Sequence, residues 1–290
     1  MFEGFTATDV ATQGARIRTL RAGDGPPLLL LHGYPQTHVI WHKIANRLAE
    51  RFTVVATDLR GYGDSEKPAS DDRHGAYSKR TMAQDQVEVM DSLGFQRFFV
   101  AGHDRGGRVA HRMALDHADR VLRLAVLDII PTHAVFATVD QTVATGYYHW
   151  FFLIQGNGLP ERLIGGDPEF YLRAKLKQWS RTEGGITEEA MAEYLRCFRD
   201  PACIHATCED YRAAASIDLE HDEADLDHKI DCPLLTLWGD RGLVGRHYDV
   251  LSVWRQRAAN VQSSALPCGH YVPEEAPEET LEALNAFFGP

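Results

Sequence analysis

Residues 102–107, Gly-His-Asp-Arg-Gly-Gly, combine the residue types and the spacing of a catalytic turn. An apolar run precedes the segment and a helical pattern follows it, which predicts a strand, a tight turn with Asp104 at its tip, and a helix. The flanking glycines permit a strained turn and close packing of strand and helix. Free N–H groups and the dipole at the helix N-terminus favour an ionised carboxylate. Asp104 is therefore predicted to be a nucleophile rather than only a helix cap.

An aspartate at this position, instead of a serine, restricts the chemistry. Attack by a carboxylate on a carbonyl gives an anhydride, which is a poor route for ester or amide hydrolysis. Attack on a saturated carbon gives an alkyl ester, which a second step must hydrolyse. The sequence therefore predicts displacement at an sp³ carbon, with halide or epoxide oxygen as the leaving group.

The second step needs a base, and His270 is the candidate. It lies in the segment Cys-Gly-His-Tyr at 268–271, after the last predicted strand and before a C-terminal helix. This agrees with the chain order of nucleophile, acid and histidine. Two acids could orient His270. In many enzymes with this chain order the acid stands at the position that Gly242 occupies here. Asp240 is two residues before that position, so Asp128, which ends an earlier predicted strand, is preferred.

A turn at 31–35, Leu-His-Gly-Tyr-Pro, follows the first predicted parallel strand. Its Tyr34 backbone N–H and that of Arg105 are predicted to form an oxyanion hole for ester hydrolysis.

These side chains need a scaffold, and the apolar pattern predicts an α/β fold. Continuous apolar runs indicate buried parallel strands at 28–32, 52–57, 98–102, 124–128, 233–238 and, more weakly, 261–266. Helical patterns lie between them at 41–51, 79–93, 108–117 and 246–258, with a final helix after Pro277. Residues 5–20 indicate an antiparallel hairpin at the sheet edge. The prediction is a mostly parallel sheet flanked by helices.

The interval after Asp128 interrupts this rhythm. It contains helical patterns at 135–155, 168–179, 187–198 and 201–216, and no convincing strand. We predict a core domain of residues 1–130 and 226–290, with an all-helical cap (lid) of 131–225 over the carboxyl edge of the sheet, where ligands bind. The acidic run 218–227 is expected to be a solvated hinge.

Composition excludes several classes of function. The 290 residues include 30 Lys and Arg against 41 Asp and Glu, a net charge of −11, which argues against nucleic acid or an anionic membrane as a partner. No apolar run approaches the roughly 20 residues of a membrane helix. The N-terminus shows no export signal, so a cytoplasmic location is expected. Five cysteines without a C-x-x-C pair indicate free thiols and no zinc site.

The catalytic turn at 102–107, the turn at 31–35, the Gly-His pair at 269–270 and the helical interval after Asp128 together resemble the α/β-hydrolase fold. The pattern Gly-His-Asp-Arg-Gly-Gly-Arg at 102–108 resembles the fluoroacetate dehalogenases, and the resemblance extends over essentially the whole chain. Arg105 and Arg108 lie three residues apart in the first turn of the predicted helix. Two cations at a helix N-terminus are unfavourable beside the helix dipole, so their presence there requires an explanation. Binding a substrate carboxylate is such a reason, because guanidinium groups match its geometry.

The resemblance implies further site residues. His149, Trp150 and Tyr211 correspond to the halide-binding trio of that family, whose N–H and O–H donors would stabilise the leaving halide. It also implies that no metal or organic cofactor is needed, and it suggests a homodimer. The expected activity is haloacetate dehalogenation, with fluoroacetate hydrolysed to glycolate and fluoride.

Two other functions remain open at this point. An epoxide hydrolase would share the Asp104 nucleophile and would use cap tyrosines, for which Tyr148 and Tyr211 qualify. A non-catalytic receptor for a small carboxylate is less favoured because the set Asp104, Asp128 and His270 is intact. The sequence leaves open whether fluoride or chloride is the preferred leaving group, and whether Asp240 can replace Asp128.

Overall fold

A computed structural model describes residues 1–289, which form one eight-stranded sheet flanked by helices. The spatial order is β1-β2-β4-β3-β5-β6-β7-β8; β1 and β2 are antiparallel to their neighbours, and the other pairs are parallel. The strands are β1 (Thr6–Ala11), β2 (Arg16–Ala22), β3 (Pro27–Leu31), β4 (Thr53–Thr57), β5 (Phe98–His103), β6 (Val121–Leu127), β7 (Leu234–Gly239) and β8 (Val261–Leu266).

Helices cover the sheet, and eight of them lie in the interval between β6 and β7. Those before β6 are α1 (Ala45–Ala49), α2 (Lys79–Ser92) and α3 (Arg105–Asp116), with short 3₁₀ helices at His38–Trp41 and Gly75–Tyr77. The interval contains α4 (Thr132–Ala137), α5 (Gln141–Gly146), α6 (Tyr148–Leu153), α7 (Leu159–Gly166), α8 (Pro168–Trp179), α9 (Glu188–Phe198), α10 (Pro201–Ala214) and α11 (Ile217–Ala224). After β7 come α12 (Leu243–His247), α13 (Val250–Arg257), α14 (Val272–Glu275) and α15 (Pro277–Phe288).

The predicted fold class is confirmed, and the apolar runs explain it. The four leucines of β3, for example, are fully buried, as expected for a central parallel strand covered on both faces. The N-terminal hairpin and all six parallel strands lie where the sequence predicts them, within a few residues. The strand before the predicted cap, β6, ends at Leu127, so Asp128 is the first residue beyond it.

Three predicted helices are wrong in their extent. The segment 41–51 contains the last residue of a 3₁₀ helix and the five residues of α1. The segment 135–155 contains parts of three helices, because the Asp140 side chain accepts the Val143 N–H and starts a new helix there. The segment 246–258 contains α13 and the end of α12, because Asp249 in the same way caps α13. The helix α7 was not predicted; it starts after Gly158, which has a positive φ.

The predicted solvated hinge at 218–227 is also wrong. Most of this run forms α11, and its Asp218 and Asp222 are buried. Asp218 lies 3.3 Å from the Lys79 amine and Asp222 lies 3.2 Å from the Arg112 guanidinium. The charge pattern of this run predicts exposure to solvent, but two of its acids are buried and paired with cations. Their partners lie on helices far away in the sequence, so the pairing is not visible in the sequence pattern.

The sheet also positions the predicted site residues. The carboxyl ends of β3, β5, β6 and β8 bring the segments after them to one edge of the sheet. None of the helices formed by residues 1–289 is long and apolar enough to cross a membrane.

Candidate active site

Asp104 occupies the strained turn between β5 and α3. Its φ of +48° is unusual for a residue with a side chain, and it is 6% exposed. Tight packing surrounds the turn: a Cβ added at Gly106 would lie 2.3 Å from the His32 carbonyl oxygen, and one added at Gly33 would lie 2.4 Å from the Asp104 Cβ. Only glycine fits at these positions, which explains why the turn requires them.

The two oxygens of Asp104 differ in their surroundings. Oδ1 accepts the Tyr34 backbone N–H at 2.9 Å, while Oδ2 lies 3.9 Å from Nε2 of His270. The predicted Tyr34 donor is therefore hydrogen-bonded to the Asp104 carboxylate. Arg105, the other predicted donor, is the next residue and the first residue of α3. Oδ1 is in the position of an ester carbonyl oxygen, and Oδ2 is the oxygen that can attack.

His270 and Asp128 are paired. The Nδ1–H of His270 donates to Asp128 Oδ2 at 2.6 Å, and the other Asp128 oxygen accepts the Gly239 N–H at 3.0 Å. This pairing fixes the ring so that Nε2 faces Asp104. Nε2 is buried and has no hydrogen-bond partner among residues 1–289. A water molecule between Nε2 and an Asp104 ester would find its base there.

Asp240, the alternative acid, is not paired with His270. Its side chain is 52% exposed and its nearest cation is Arg241, at 3.8 Å. The equivalent acid position, Gly242, does adjoin the pair, because an added Cβ would lie 3.6 Å from Asp128 Oδ1. The geometry therefore favours Asp128 as the partner of His270.

Both predicted arginines are buried beside Asp104, and each has at least one nitrogen without a hydrogen bond to residues 1–289. Arg105 donates Nε and Nη2 to the carboxylate of Asp210, at 3.0 and 2.7 Å. Arg108 donates Nη1 to the Ile130 carbonyl and to the Thr132 hydroxyl, at 2.8 and 3.1 Å. Within the described chain, Arg105 Nη1 and Arg108 Nε are buried without a partner. Buried donors of this kind are costly unless a ligand accepts from them.

The three predicted cap residues converge on the same region. The rings of His149 and Trp150 lie 5.3 and 6.0 Å from the Tyr211 ring, which in turn lies 4.2 Å from the Arg105 guanidinium. His149 Nδ1 and the Tyr211 hydroxyl are buried and unpaired among the residues described. The Trp150 ring also packs on the Arg108 guanidinium, 4.6 Å away. These cap side chains could therefore donate to an anion next to Asp104.

The chain matches the alpha/beta hydrolase fold family over residues 26–277. The chain belongs to the α/β-hydrolase family. It is 47% identical to a fluoroacetate dehalogenase of Burkholderia sp over 288 residues, 99% of this chain and 95% of that protein. It is 38% identical to a soluble epoxide hydrolase of Corynebacterium sp. (strain C12) over 283 residues, 96% and 95% of the two chains. A solved structure from Nostoc sp PCC 7120, provisionally assigned as an α/β hydrolase, is 63% identical with a TM-score of 0.99, covering 100% and 99%.

The expected resemblance is thereby confirmed, and this α/β hydrolase is similar over its whole length to enzymes with two different substrate classes. Both the dehalogenase and the epoxide hydrolase are hydrolases, so the family alone does not identify the substrate. The polar groups around Asp104 must do so.

Electrostatics in this α/β hydrolase suit a carboxylate nucleophile and a histidine base. Burial would raise the pKa of Asp104, but His270 and the neighbouring arginines hold it below its ordinary value of 3.8. Burial would lower the pKa of His270, but the hydrogen bond and charge of Asp128 raise it above 6.5, and the charge of Asp104 contributes. Burial lowers the pKa of His149 well below 6.5, so this imidazole is neutral.

Sequence reasoning missed the acid that holds Arg105. Asp210 is fully buried and also accepts from the Lys79 amine and from the Tyr62 hydroxyl, the latter at 2.6 Å. Burial would raise the pKa of Asp210, but Arg105 and Lys79 hold it well below its usual range. The only sequence signal was that Asp210 precedes Tyr211, and nothing in the pattern linked it to Arg105.

Asp128 and His270 line a cavity of about 250 Å³. Three exposed arginines also line it, Arg181, Arg241 and Arg246. Although the chain carries a charge of −11, this opening is locally cationic. Across residues 1–289, no group of three or more His, Cys, Asp or Glu side chains is arranged to hold a metal ion.

Proposed function

We propose that this chain is a haloacetate dehalogenase that hydrolyses the carbon–halogen bond of fluoroacetate, and also of chloroacetate, to give glycolate and halide. The catalytic residues are Asp104, His270 and Asp128. The substrate is a small haloacid, and no metal or organic cofactor enters the reaction.

The unpaired nitrogens of Arg105 and Arg108 carry this proposal. A carboxylate offers two oxygens to two buried guanidinium donors beside the nucleophile, whereas a neutral haloalkane or epoxide offers them nothing comparable. Binding through both arginines would hold the substrate Cα next to Asp104 Oδ2. The cationic lining of the cavity at His270 agrees with an anionic substrate.

In the first step, Asp104 Oδ2 attacks Cα, a C–O bond forms, and the halide leaves with the electrons of the C–X bond. The donors of His149, Trp150 and Tyr211 stabilise the halide as its charge develops. The product is a neutral ester on Asp104, with the substrate carboxylate still bound to the arginines.

In the second step, His270 Nε2 takes a proton from water, and the water oxygen attacks Cγ of Asp104. The backbone N–H groups of Tyr34 and Arg105 hold the charge on Oδ1. The Cγ–Oδ2 bond then breaks, the departing alkoxide oxygen takes a proton from the protonated His270, and glycolate leaves with Oδ2, while the new Asp104 carboxyl gives up its proton. One substrate anion and one water give glycolate, halide and a proton, which leaves through His270.

Epoxide hydrolysis is the second candidate, because a relative 38% identical to this chain is named a soluble epoxide hydrolase. The tyrosine pair expected for that reaction is not formed by Tyr148 and Tyr211. Tyr148 is 40% exposed and its ring packs against the Lys175 amine at 3.7 Å, while the Tyr211 hydroxyl is buried. This arrangement favours dehalogenation.

Parallel assays separate the candidates. We expect halide release from fluoroacetate and chloroacetate, measured with ion-selective electrodes, and no diol from styrene oxide. Diol formation without halide release would overturn the proposal. Tight binding of haloacetate without any turnover would instead support the carboxylate receptor. A homodimer and a cytoplasmic location remain predictions.

Replacing Arg108 with glutamine should lower kcat/KM for haloacetates by about 10- to 150-fold, the effect of losing one charge-assisted hydrogen bond. The loss should appear mainly in KM, since the nucleophile is intact. Steady-state halide release measures it. Arg255→Gln, at an exposed position on α13, is the control and should leave kcat/KM unchanged. Equal activity of the two variants would contradict the proposed carboxylate site.

The two steps should respond differently to pH. His270 must be neutral to act as a base and its pKa is raised, so ester hydrolysis should slow as the pH falls through that pKa. Because the pKa of Asp104 is lowered, the displacement step should change little between about pH 5 and 8. Rapid-quench kinetics resolve the steps as ester formation and decay. A displacement rate that falls in parallel with ester decay would contradict these assignments.

A further inference from the structure

Glu275 is a buried carboxylate that takes part in neither proposed step. It ends α14 and accepts three backbone N–H groups: Gly269 at 3.0 Å and Arg181 at 2.7 Å on Oε2, and Tyr271 at 2.9 Å on Oε1. A single side chain thus satisfies three main-chain donors. Charge-assisted bonds to backbone N–H groups are among the stronger hydrogen bonds in proteins.

The three donors come from two segments that meet at His270. Gly269 and Tyr271 stand on either side of it, and Arg181 follows α8 in the helical interval. The contact is close, because a Cβ added at Gly269 would lie 2.5 Å from the Trp179 carbonyl oxygen and 2.7 Å from the Arg181 nitrogen. Glu275 therefore joins the loop that carries His270 to the segment 179–181.

His270 also contacts that segment directly. Its backbone N–H donates to the Trp179 carbonyl at 3.2 Å, and the Trp179 ring lies 5.2 Å from its imidazole. The same Trp179 ring lies 4.5 Å from His149, one of the proposed halide donors. A shift of the 179–181 segment would therefore displace the backbone of His270.

We propose that Glu275 is a positioning residue for the second step, holding the His270 loop against the segment 179–181 so that Nε2 meets the water that attacks the Asp104 ester. This inference rests on the proposed two-step function. Asp128 fixes the ring of His270 through Nδ1, and Glu275 fixes the backbone on both sides of it. The first step uses Asp104, the arginines and the halide donors, and it does not need His270. Glu275 is hydrogen-bonded to the backbone around His270 and to none of the first-step groups, so it should affect the second step more than the first.

Glu275→Gln tests this. The amide has one oxygen acceptor in place of two, so at least one of the three N–H groups loses its partner. We expect ester hydrolysis to slow by about 10- to 100-fold, because a displacement of about 1 Å at a reacting group can cost about 100-fold in rate. The halide burst should remain close to one equivalent per active site, and the ester on Asp104 should accumulate, seen by intact-protein mass spectrometry.

Glu274→Gln is the matched control. Glu274 is also buried in α14, but it accepts from the side chains of Gln36 and Tyr194, at 2.6 and 2.9 Å, rather than from the His270 loop. Burial raises its pKa to about 8, so the amide resembles the form that prevails at neutral pH. Its steady-state ratio of ester to free enzyme should stay at the wild-type value.

A merely structural role for Glu275 would lower Tm and leave the ratio of ester to free enzyme unchanged, and that result would overturn the proposal. Equal slowing of both steps would overturn it as well. If Glu275→Gln does not fold, Glu275→Asp, which keeps the charge but is one methylene too short to reach both loops, serves in the same assay. Wild-type enzyme that releases no halide would refute the proposed function itself, a distinct outcome.

Discussion

Replacing His270 with alanine is expected to trap a covalent ester on Asp104. Displacement by Asp104 Oδ2 does not involve the imidazole, so one equivalent of halide should be released per active site. Hydrolysis of the ester loses its base and should slow by about 10²- to 10⁴-fold. Intact-protein mass spectrometry after mixing with fluoroacetate or chloroacetate should show the mass of one added carboxymethyl group, and peptide mapping should place it on Asp104.

A matched control for this variant is His247→Ala. His247 lines the same cavity as His270 but lies 3.8 Å from Asp140 rather than facing Asp104. It should turn over normally and accumulate no ester. Steady halide release by His270→Ala without any ester would show that water attacks the substrate directly, and the two-step scheme would then be wrong.

Asp104→Asn should remove halide release altogether, with a loss on the order of 10⁴-fold or more, as for other enzymes deprived of their nucleophile. The amide keeps the size of the side chain and an oxygen for the Tyr34 N–H, so the turn should stay intact. Halide electrodes measure the rate, and thermal unfolding checks the fold. Arg105 and Arg108 remain, so haloacetate should still bind.

Asp240→Asn provides the comparison for this result. Asp240 is exposed and lies next to Arg241 rather than pairing with His270, so its substitution should leave halide release unchanged. Substantial halide release by Asp104→Asn that is reproduced in independent preparations of the variant would refute Asp104 as the nucleophile. A large loss in Asp240→Asn would instead show that the acid has been assigned to the wrong residue.

The part of the site that the sequence predicts is the part encoded locally. The turn around Asp104 requires glycines at fixed neighbouring positions, and the strand before it is a continuous apolar run, so both leave a visible pattern. The same is true of His270, which follows the last strand. Such residues are found because a short segment specifies its own geometry.

Contacts between distant segments leave no such pattern. Arg105 and its acid Asp210 are 105 residues apart, and Arg181 and Glu275 are 94 residues apart. Neither Asp210 nor Glu275 differs in the sequence from the many acids that face solvent. The wrong prediction of a solvated hinge has the same cause, because the partners of Asp218 and Asp222 lie on α2 and α3.

The three predicted cap residues are intermediate between the locally encoded residues and those paired with distant segments. Only the resemblance to the fluoroacetate dehalogenases assigns a role to His149, Trp150 and Tyr211, since an aromatic run such as residues 150–152 usually indicates core packing. The structure places Trp150 and Tyr211 against the Arg108 and Arg105 guanidinium groups and His149 next to Tyr211. His149 Nδ1 and the Tyr211 hydroxyl are buried there and lack partners within residues 1–289. Their role as halide donors remains a prediction.

A single turnover in H₂¹⁸O tests the central claim most directly. With enzyme in excess over chloroacetate or fluoroacetate, water attacks Cγ of the Asp104 ester, and glycolate leaves with the original Oδ2. The first glycolate formed should therefore contain no ¹⁸O in its hydroxyl group, and the label should appear in the Asp104 carboxylate of the recovered protein. Glycolate carrying ¹⁸O from the first turnover, with an unlabelled Asp104, would contradict the covalent mechanism.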